Sequence, residues 1–323
     1  MFRKVVGSAP ARKLLETVIT LLGVAIVVFI MLRAIPGNQI GANLGTEAAA
    51  LTPPQRLELE HFYGLDKPLI VQFFSWLGDI FTGNLGFSAQ SQESVLDMTA
   101  KSLPVTVELA IIAIIIGLLI GVPLGMLSAS RVNTAWDGVG QGIGLAGLSI
   151  PAFLLAAALL ALAAQFLHFN PNGAGFATLL QNPGLNLQQM LMPALVLGFG
   201  LAAPIMRTAR SALLEIRTQD FVRTAKGKGV SRLRIQFVHV LTNALVPIVT
   251  MTGLQFGYLL GGAVVVEQIF SIPGIGRQVL NGINDKEYAV VQSSVLVIAL
   301  VFVIVNLLTD LLYRVIDPRV RAS

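Results

Sequence analysis

The amino-acid sequence predicts an all-α integral membrane protein with six transmembrane helices. Three observations carry that prediction. Of the 323 residues, 54% are hydrophobic and only 12% are charged, about half the charge of a soluble domain. Mean hydropathy is +0.76. The apolar residues also gather into uncharged runs close to the ~20 residues that a helix needs to cross a bilayer. One or two soluble domains of this length could not bury that much apolar surface, so the surplus must face lipid.

The first span is 17–32, between Glu16 and Arg33, and the second is 109–130, stopped by Arg131. From 138 to 206 there is no Asp, Glu, Lys or Arg, a stretch too long for one helix. The turn-forming runs at 168–173 (His-Phe-Asn-Pro-Asn-Gly) and 181–184 (Gln-Asn-Pro-Gly) divide it into spans near 140–167 and 190–206. The fifth span is 240–266 and the sixth 288–309. Arg3, Lys4, Arg12 and Lys13 precede the first span, but no small-residue cleavage site follows it, so it reads as a retained helix rather than a leader.

Alternate loops give the orientation. The side of the amino terminus holds 16 of the 22 basic residues, eight of them between spans four and five (Arg207, Arg210, Arg217, Arg223, Lys226, Lys228, Arg232, Arg234). Positive residues concentrate in cytoplasmic loops, which places both termini in the cytoplasm. The expected organisation is a cytoplasmic amino end (1–13), transmembrane helix 1 (14–34), a sizeable external loop domain (35–104), a core of helices 2–6 (105–313) with a cytoplasmic loop at 207–239, and a cytoplasmic carboxyl end (314–323). The external region carries seven carboxylates against three bases. Pro53 and Pro54 suit a helix start, and 68–78 is amphipathic enough to lie at the membrane interface. Trp76 and Tyr63 suit either interface anchoring or contact with a partner.

Much chemistry is excluded. With no cysteine there is no disulfide, thiol nucleophile, iron–sulfur site or Cys-type zinc site. His61, His168 and His239 are too far apart in sequence to suggest a metal centre. No Ser/His/Asp set or Gly-rich phosphate loop is present. The +5 charge and pI near 9.7 follow from membrane topology and do not mark a nucleic-acid surface. Glu16, Glu108, Glu267 and Asp310 lie near span ends, where water is within reach. The lack of mid-span charges argues against an ion-coupled carrier, and no selectivity filter is legible; Gly261-Gly262 suits close helix packing. His239 reads as a headgroup-level or interhelical hydrogen-bonder rather than a switch, and Asp310 with Arg314 as a one-turn pair. Glu267, Phe270, Pro273 and Gly274 admit two readings: an external gate or substrate contact, or a turn that fixes how spans five and six meet. The chain thus has a membrane pathway and no legible energy source. The energy comes either from another polypeptide or, in the rival reading, from a gradient used by a stand-alone secondary carrier.

The long cytoplasmic loop is where a partner would dock. Residues 211–215 and 220–229 read as two short helices. Asp220 sits where an N-cap belongs and Gly229 where a C′ glycine belongs. Phe221, Thr224 and Ala225 are spaced to share one face, rimmed by Arg223, Lys226 and Lys228. Such a helix suits either insertion into a partner's groove or adsorption on anionic lipid.

The run Asp220-Phe221-Val222-Arg223-Thr224-Ala225-Lys226-Gly227-Lys228-Gly229, followed by His239 and Asn243-Ala-Leu-Val-Pro247, resembles the EAA loop of permeases from bacterial ATP-binding-cassette (ABC) importers. The resemblance is to the first permease subunit of the dipeptide/oligopeptide/nickel branch, with Arg223-Thr224-Ala225 in place of the EAA triplet. It extends over nearly the whole chain: Pro36-Gly37, Tyr63-Gly-Leu-Asp-Lys-Pro68, Gly83-Asn-Leu-Gly-Phe-Ser88, Ser149-Ile-Pro-Ala-Phe153, Phe270-Ser-Ile-Pro-Gly-Ile-Gly276 and Asp317-Pro-Arg-Val-Arg321 all take part. Asn38 and Asn84 stand where the branch often has Asp. The resemblance implies a MetI-like type I ABC importer fold in the bacterial inner membrane. Its implied partners are a second homologous permease, two ATPase subunits and an extracytoplasmic substrate-binding protein. It also implies that residues 220–229 are held by an ATPase, that ATP and magnesium bind to those partners and no cofactor to this chain, and that the cargo is a di- or oligopeptide or, alternatively, a nickel chelate.

Overall fold

The computed structural model describes residues 9–34, 52–62, 65–167 and 175–316. The turn at 168–173, Pro36–Asn38, Tyr63, the segment 317–321 and the side chain of Arg314 lie outside the described residues. Helix α1 is Ala9–Ala34, α2 Pro53–Phe62 and α3 Leu69–Phe81. A two-residue antiparallel bridge, Phe87–Ser88 with Glu93–Ser94, precedes α4, Val95–Ser130. Helices α5 (Ala135–Ser149) and α6 (Ala152–Leu162) follow, then α7 (Pro183–Arg217), α8 (Asp220–Gly227), α9 (Arg232–Ile269), α10 (Ile275–Asn284) and α11 (Tyr288–Ile316).

Among the described residues five helices are long and apolar enough to cross a membrane, α1, α4, α7, α9 and α11, and the count is six if a bent pair of helices is taken as one span. The third expected span is that bent pair. It is two helices, α5 and α6, bent by 99° at their junction. The break falls at Ile150–Pro151, where Ile150 is extended (φ −81°, ψ 118°). Proline supplies no N–H and pushes the residue before it out of the helical region. At 181–184 the expected turn is a helix start: Pro183 opens α7 and the Asn182 side chain accepts from Leu185 N at 3.1 Å. The helix expected at 211–215 is the last part of α7, which runs unbroken to Arg217.

The chain divides into two compact units, Met1–Pro104 with Arg277–Val303, and Val105–Gly276 with Ile304–Ser323. In the first unit, Phe29 of α1 meets Phe73 of α3 edge to face at 5.3 Å and Trp76 at 5.9 Å, while Leu32 packs with Val279, Tyr288 and Val291. Helix α3 has no buried residue and exposes Ile70, Phe74 and Phe81, as an interfacial helix does. Two buried polar groups tie its segments together: Glu287 accepts from Ser88 Oγ at 2.8 Å and Gln90 N at 3.0 Å, and Gln278 accepts from Ser102 Oγ at 2.6 Å.

In the second unit α7 is the central helix. Its apolar stretch is 72% buried, against 11% for α1, and it packs on α9 and α5. Gly121 and Gly125 let α4 lie directly on α7: a Cβ at Gly121 would sit 2.7 Å from Ala202 O, and one at Gly125 2.8 Å from Met206 O. Close approach of this kind is how membrane helices gain packing energy without a hydrophobic drive. The obstruction is backbone, which cannot move aside as a flexible side-chain end can. Gly121→Leu is therefore expected to cost more than the usual ~1–3 kcal/mol of overpacking and to sharply reduce the folded chain recovered from membranes, measured by fluorescence-detected size exclusion.

Candidate functional site: an exposed short helix and a buried turn

Helix α7 ends at Thr218, whose hydroxyl donates to Glu215 O at 2.7 Å. Gln219 is the N-cap of α8 and Asp220 its first helical residue, so the helix starts one position earlier than the sequence suggests. Asp220 still places a carboxylate at the positive end of the helix, 3.6 Å from Arg223 and fully in solvent. The far end is a Schellman closure: Val230 N donates to Ala225 O at 3.2 Å and Gly229 N to Lys226 O at 3.0 Å. Gly229 has φ +74° with open space around it, so this position demands glycine for its backbone conformation and not for lack of room. Ser231 then caps α9, accepting from Arg234 N.

The structure divides α8 differently from the sequence. Val222 is 0% and Ala225 8% exposed. These two face into the protein, where α8 packs on the end of α7 and on a π-helical segment of α9, Ile235–Leu241. Ala225 therefore does not share the outward face expected of it. Phe221 (40% exposed), Arg223, Thr224, Lys226, Gly227 and Lys228 are exposed. An eight-residue helix with its carboxyl end closed and one side buried thus presents an aromatic ring among basic side chains.

Two arginines fasten the base of this helix, and the sequence reading missed both roles. Arg217 donates through Nη1 to Ala129 O at the end of α4 and through Nη2 to Gln236 Oε1 in the π segment. Arg210, two turns earlier on α7, forms a two-pronged pair with Asp137 of α5, Nη2 to Oδ2 at 2.9 Å and Nε to Oδ1 at 3.0 Å. Ser128 of α4 donates to the same carboxylate, Gln141 donates at 3.0 Å and Asn133 N at 3.1 Å. Asp137 is 3% exposed. The signal in the sequence was an acid at the edge of a charge-free run and two arginines seven apart, hence on one side of a helix.

The turn between α9 and α10 is the other group. Glu267 is fully buried and accepts from Thr106 Oγ1 at 2.6 Å, and that hydroxyl in turn accepts from Ile275 N at 2.8 Å. A Cβ at Gly274 would lie 2.2 Å from Glu267 Oε1. Phe270 is buried, Gly274 is buried and Pro273 is exposed. Gly274→Ala is expected to destabilise by about 1–3 kcal/mol, and Glu267→Ala in the same chain to return part of that loss. A double-mutant thermal-unfolding cycle measures the coupling. Two adjoining open cavities of about 560 and 570 Å3 flank Pro247 of α9 and share Thr208, Pro247 and Met251.

The family profile described as the binding-protein-dependent transport system inner membrane component matches residues 121–322, and the amino-terminal profile of the same membrane component matches residues 9–110. The chain is 33% identical over 332 residues to the dipeptide transport system permease protein DppB of Escherichia coli (strain K12), covering 96% of this chain and 97% of that one. It is 36% identical over 330 residues to the di/tripeptide transport system permease protein DppB of Pseudomonas aeruginosa, covering 96% and 98%. In fold it matches a chain of the inward-facing MetNI methionine ABC transporter with TM-score 0.55 at 19% identity, over 68% of this chain and 96% of that one. That likeness makes the fold that of a type I importer permease, as expected. The chain belongs to the inner membrane components of binding-protein-dependent transport systems.

Proposed function

We propose that this chain is the transmembrane permease subunit of an ABC importer that moves di- or oligopeptides across the bacterial plasma membrane, driven by partner ATPases that grip α8. The observation that carries the reading is α8 itself, whose exposed Phe221 and basic rim stand on a base buried through Val222 and Ala225. Exposed aromatics flanked by positive charge are what a partner's cleft recognises. The peptide cargo is supported by the names of the relatives, aligned over 96% of this chain. Both termini lie in the cytoplasm in this reading, with α8 on the same side. A second homologous permease completes the pathway, an extracytoplasmic binding protein delivers cargo, and lipid surrounds the spans. ATP and magnesium belong to the ATPases. This chain holds no cofactor and hydrolyses nothing.

Force then travels by contact. When ATP brings two ATPases together, the cleft carries α8 with it. Val222 and Ala225 seat α8 against α7 and the π segment, so these move with it as one body. Arg217 passes the displacement to the end of α4. The clefts beside Pro247 lie between α7 and α9 and are the surface we assign to the pathway. The Glu267 group fastens the turn beyond α9 and gates the outer mouth only through the position of that turn.

The test is uptake of labelled dipeptide, longer peptide and nickel in cells with and without the chain. Loss of peptide uptake is expected. Loss of nickel uptake alone would reassign the cargo. Cargo accumulated against a gradient by the purified chain alone in liposomes, without nucleotide, would overturn the importer reading.

A further inference from the structure

The first unit contains a polar cavity that the transport reading does not use. Its volume is about 210 Å3, against the roughly 10–15 Å3 that one water needs. Arg33, Lys67, Gln72, Asp79 and Gln292 are among its lining residues. Arg33, at the end of α1, is held in place: its guanidinium lies 3.7 Å over the Phe29 ring and its Nε donates to Gln72 Oε1 at 3.1 Å. Gln72 is itself fixed, donating through Nε2 to Lys67 O at 2.8 Å and Leu65 O at 3.3 Å. What remains is unused hydrogen-bonding capacity. Among the described residues Arg33 Nη1 is buried without a hydrogen-bond partner, and so is Nε2 of Gln292, a residue 4% exposed. Buried donors in a protein are paired with few exceptions, and each one left unpaired is costly.

We infer that this cavity binds an oxyanion, the phosphate of a phospholipid headgroup or the carboxylate of a peptide. Two donors are left over, one on a cation, and the fork of a guanidinium matches two-oxygen anions. Lys67 and Arg33 outweigh Asp79 in charge. Headgroup phosphate is the nearest such group, because α3 beside the cavity exposes Ile70, Phe74 and Phe81 as a helix lying at headgroup depth would.

The experiment uses the full-length chain in phosphatidylglycerol nanodiscs, as wild type, Arg33→Gln and Gln292→Leu. Native mass spectrometry counts retained phosphatidylglycerol. Calorimetry on lipid-depleted protein compares Ala-Ala with Ala-Ala amide. A lipid retained by wild type and lost at least tenfold in both variants identifies phosphate as the anion. A tenfold preference for the free carboxylate over the amide, lost in both variants, identifies peptide. If neither measurement separates variants from wild type, the cavity holds water and the inference fails. Gln292→Leu leaves Arg33 and its Gln72 contact in place, so it carries the test alone if Arg33→Gln does not fold.

Discussion

Replacing Phe221 by alanine is expected to cut peptide uptake by at least tenfold while the amount of chain in the membrane stays unchanged. The ring is 40% exposed, and surface substitutions away from special features usually shift stability by no more than ~0.5 kcal/mol. In a partner's cleft the same ring is an anchor. Aromatic anchors cost about 2 kcal/mol or more on truncation, and every 1.4 kcal/mol is about tenfold in affinity. Val222→Ala separates this from mere damage to the helix. Val222 is fully buried, so its loss destabilises α8's seat and lowers the melting temperature, whereas Phe221→Ala does not. Gly229→Val adds the backbone version: at φ +74° a β-branched residue is strained, the Schellman closure opens, and uptake falls with the chain still inserted. Substrate-stimulated ATP hydrolysis by the assembled complex measures each case. Full stimulation with Phe221→Ala would remove α8 from the drive.

How much of this the sequence could show depends on the range of the interaction. Spans were legible because lipid demands long uncharged runs, and α1, α4, α7, α9 and α11 lie where those runs are. The bend between α5 and α6 was missed because the whole region is uncharged. The break is made by one proline, Pro151, and the extended residue before it. The ends of α8 were legible within one residue, and its carboxyl end was so because Gly229 acts through its own backbone. Which face of α8 points inward was not. With Phe221, Val222 and Ala225 all apolar over eight residues, local spacing fits more than one face, and what α8 packs against decides. The Arg210–Asp137 pair spans 73 residues and leaves no local periodicity at all.

That pair should give a large stability effect. Asp137→Ala is expected to destabilise by about 3–5 kcal/mol, because it leaves a partly buried guanidinium without its counter-charge. Side-chain exposure is 4% for the aspartate and 23% for Arg210, so water offers only partial relief. The carboxylate also accepts from Ser128, Gln141 and the backbone N of Asn133, and those donors lose their acceptor together. The double variant Asp137→Leu with Arg210→Met removes both charges and should recover more than half of the loss, since apolar replacements of a buried pair are often neutral. Thermal unfolding of the full-length chain in nanodiscs separates the three proteins. A single variant within ~0.5 kcal/mol of wild type would mean that the pair is not a fastening. The pair joins α5 to α7 and, through Ser128, to α4, one helical stretch before Arg217 ties α7 to the π segment beside α8. A displacement imposed at α8 can move the helices as a body only while these ends stay joined. Asp137→Leu with Arg210→Met should therefore restore stability further than it restores uptake, because packed methyl groups hold helices together but allow them to slide where a two-pronged ion pair does not.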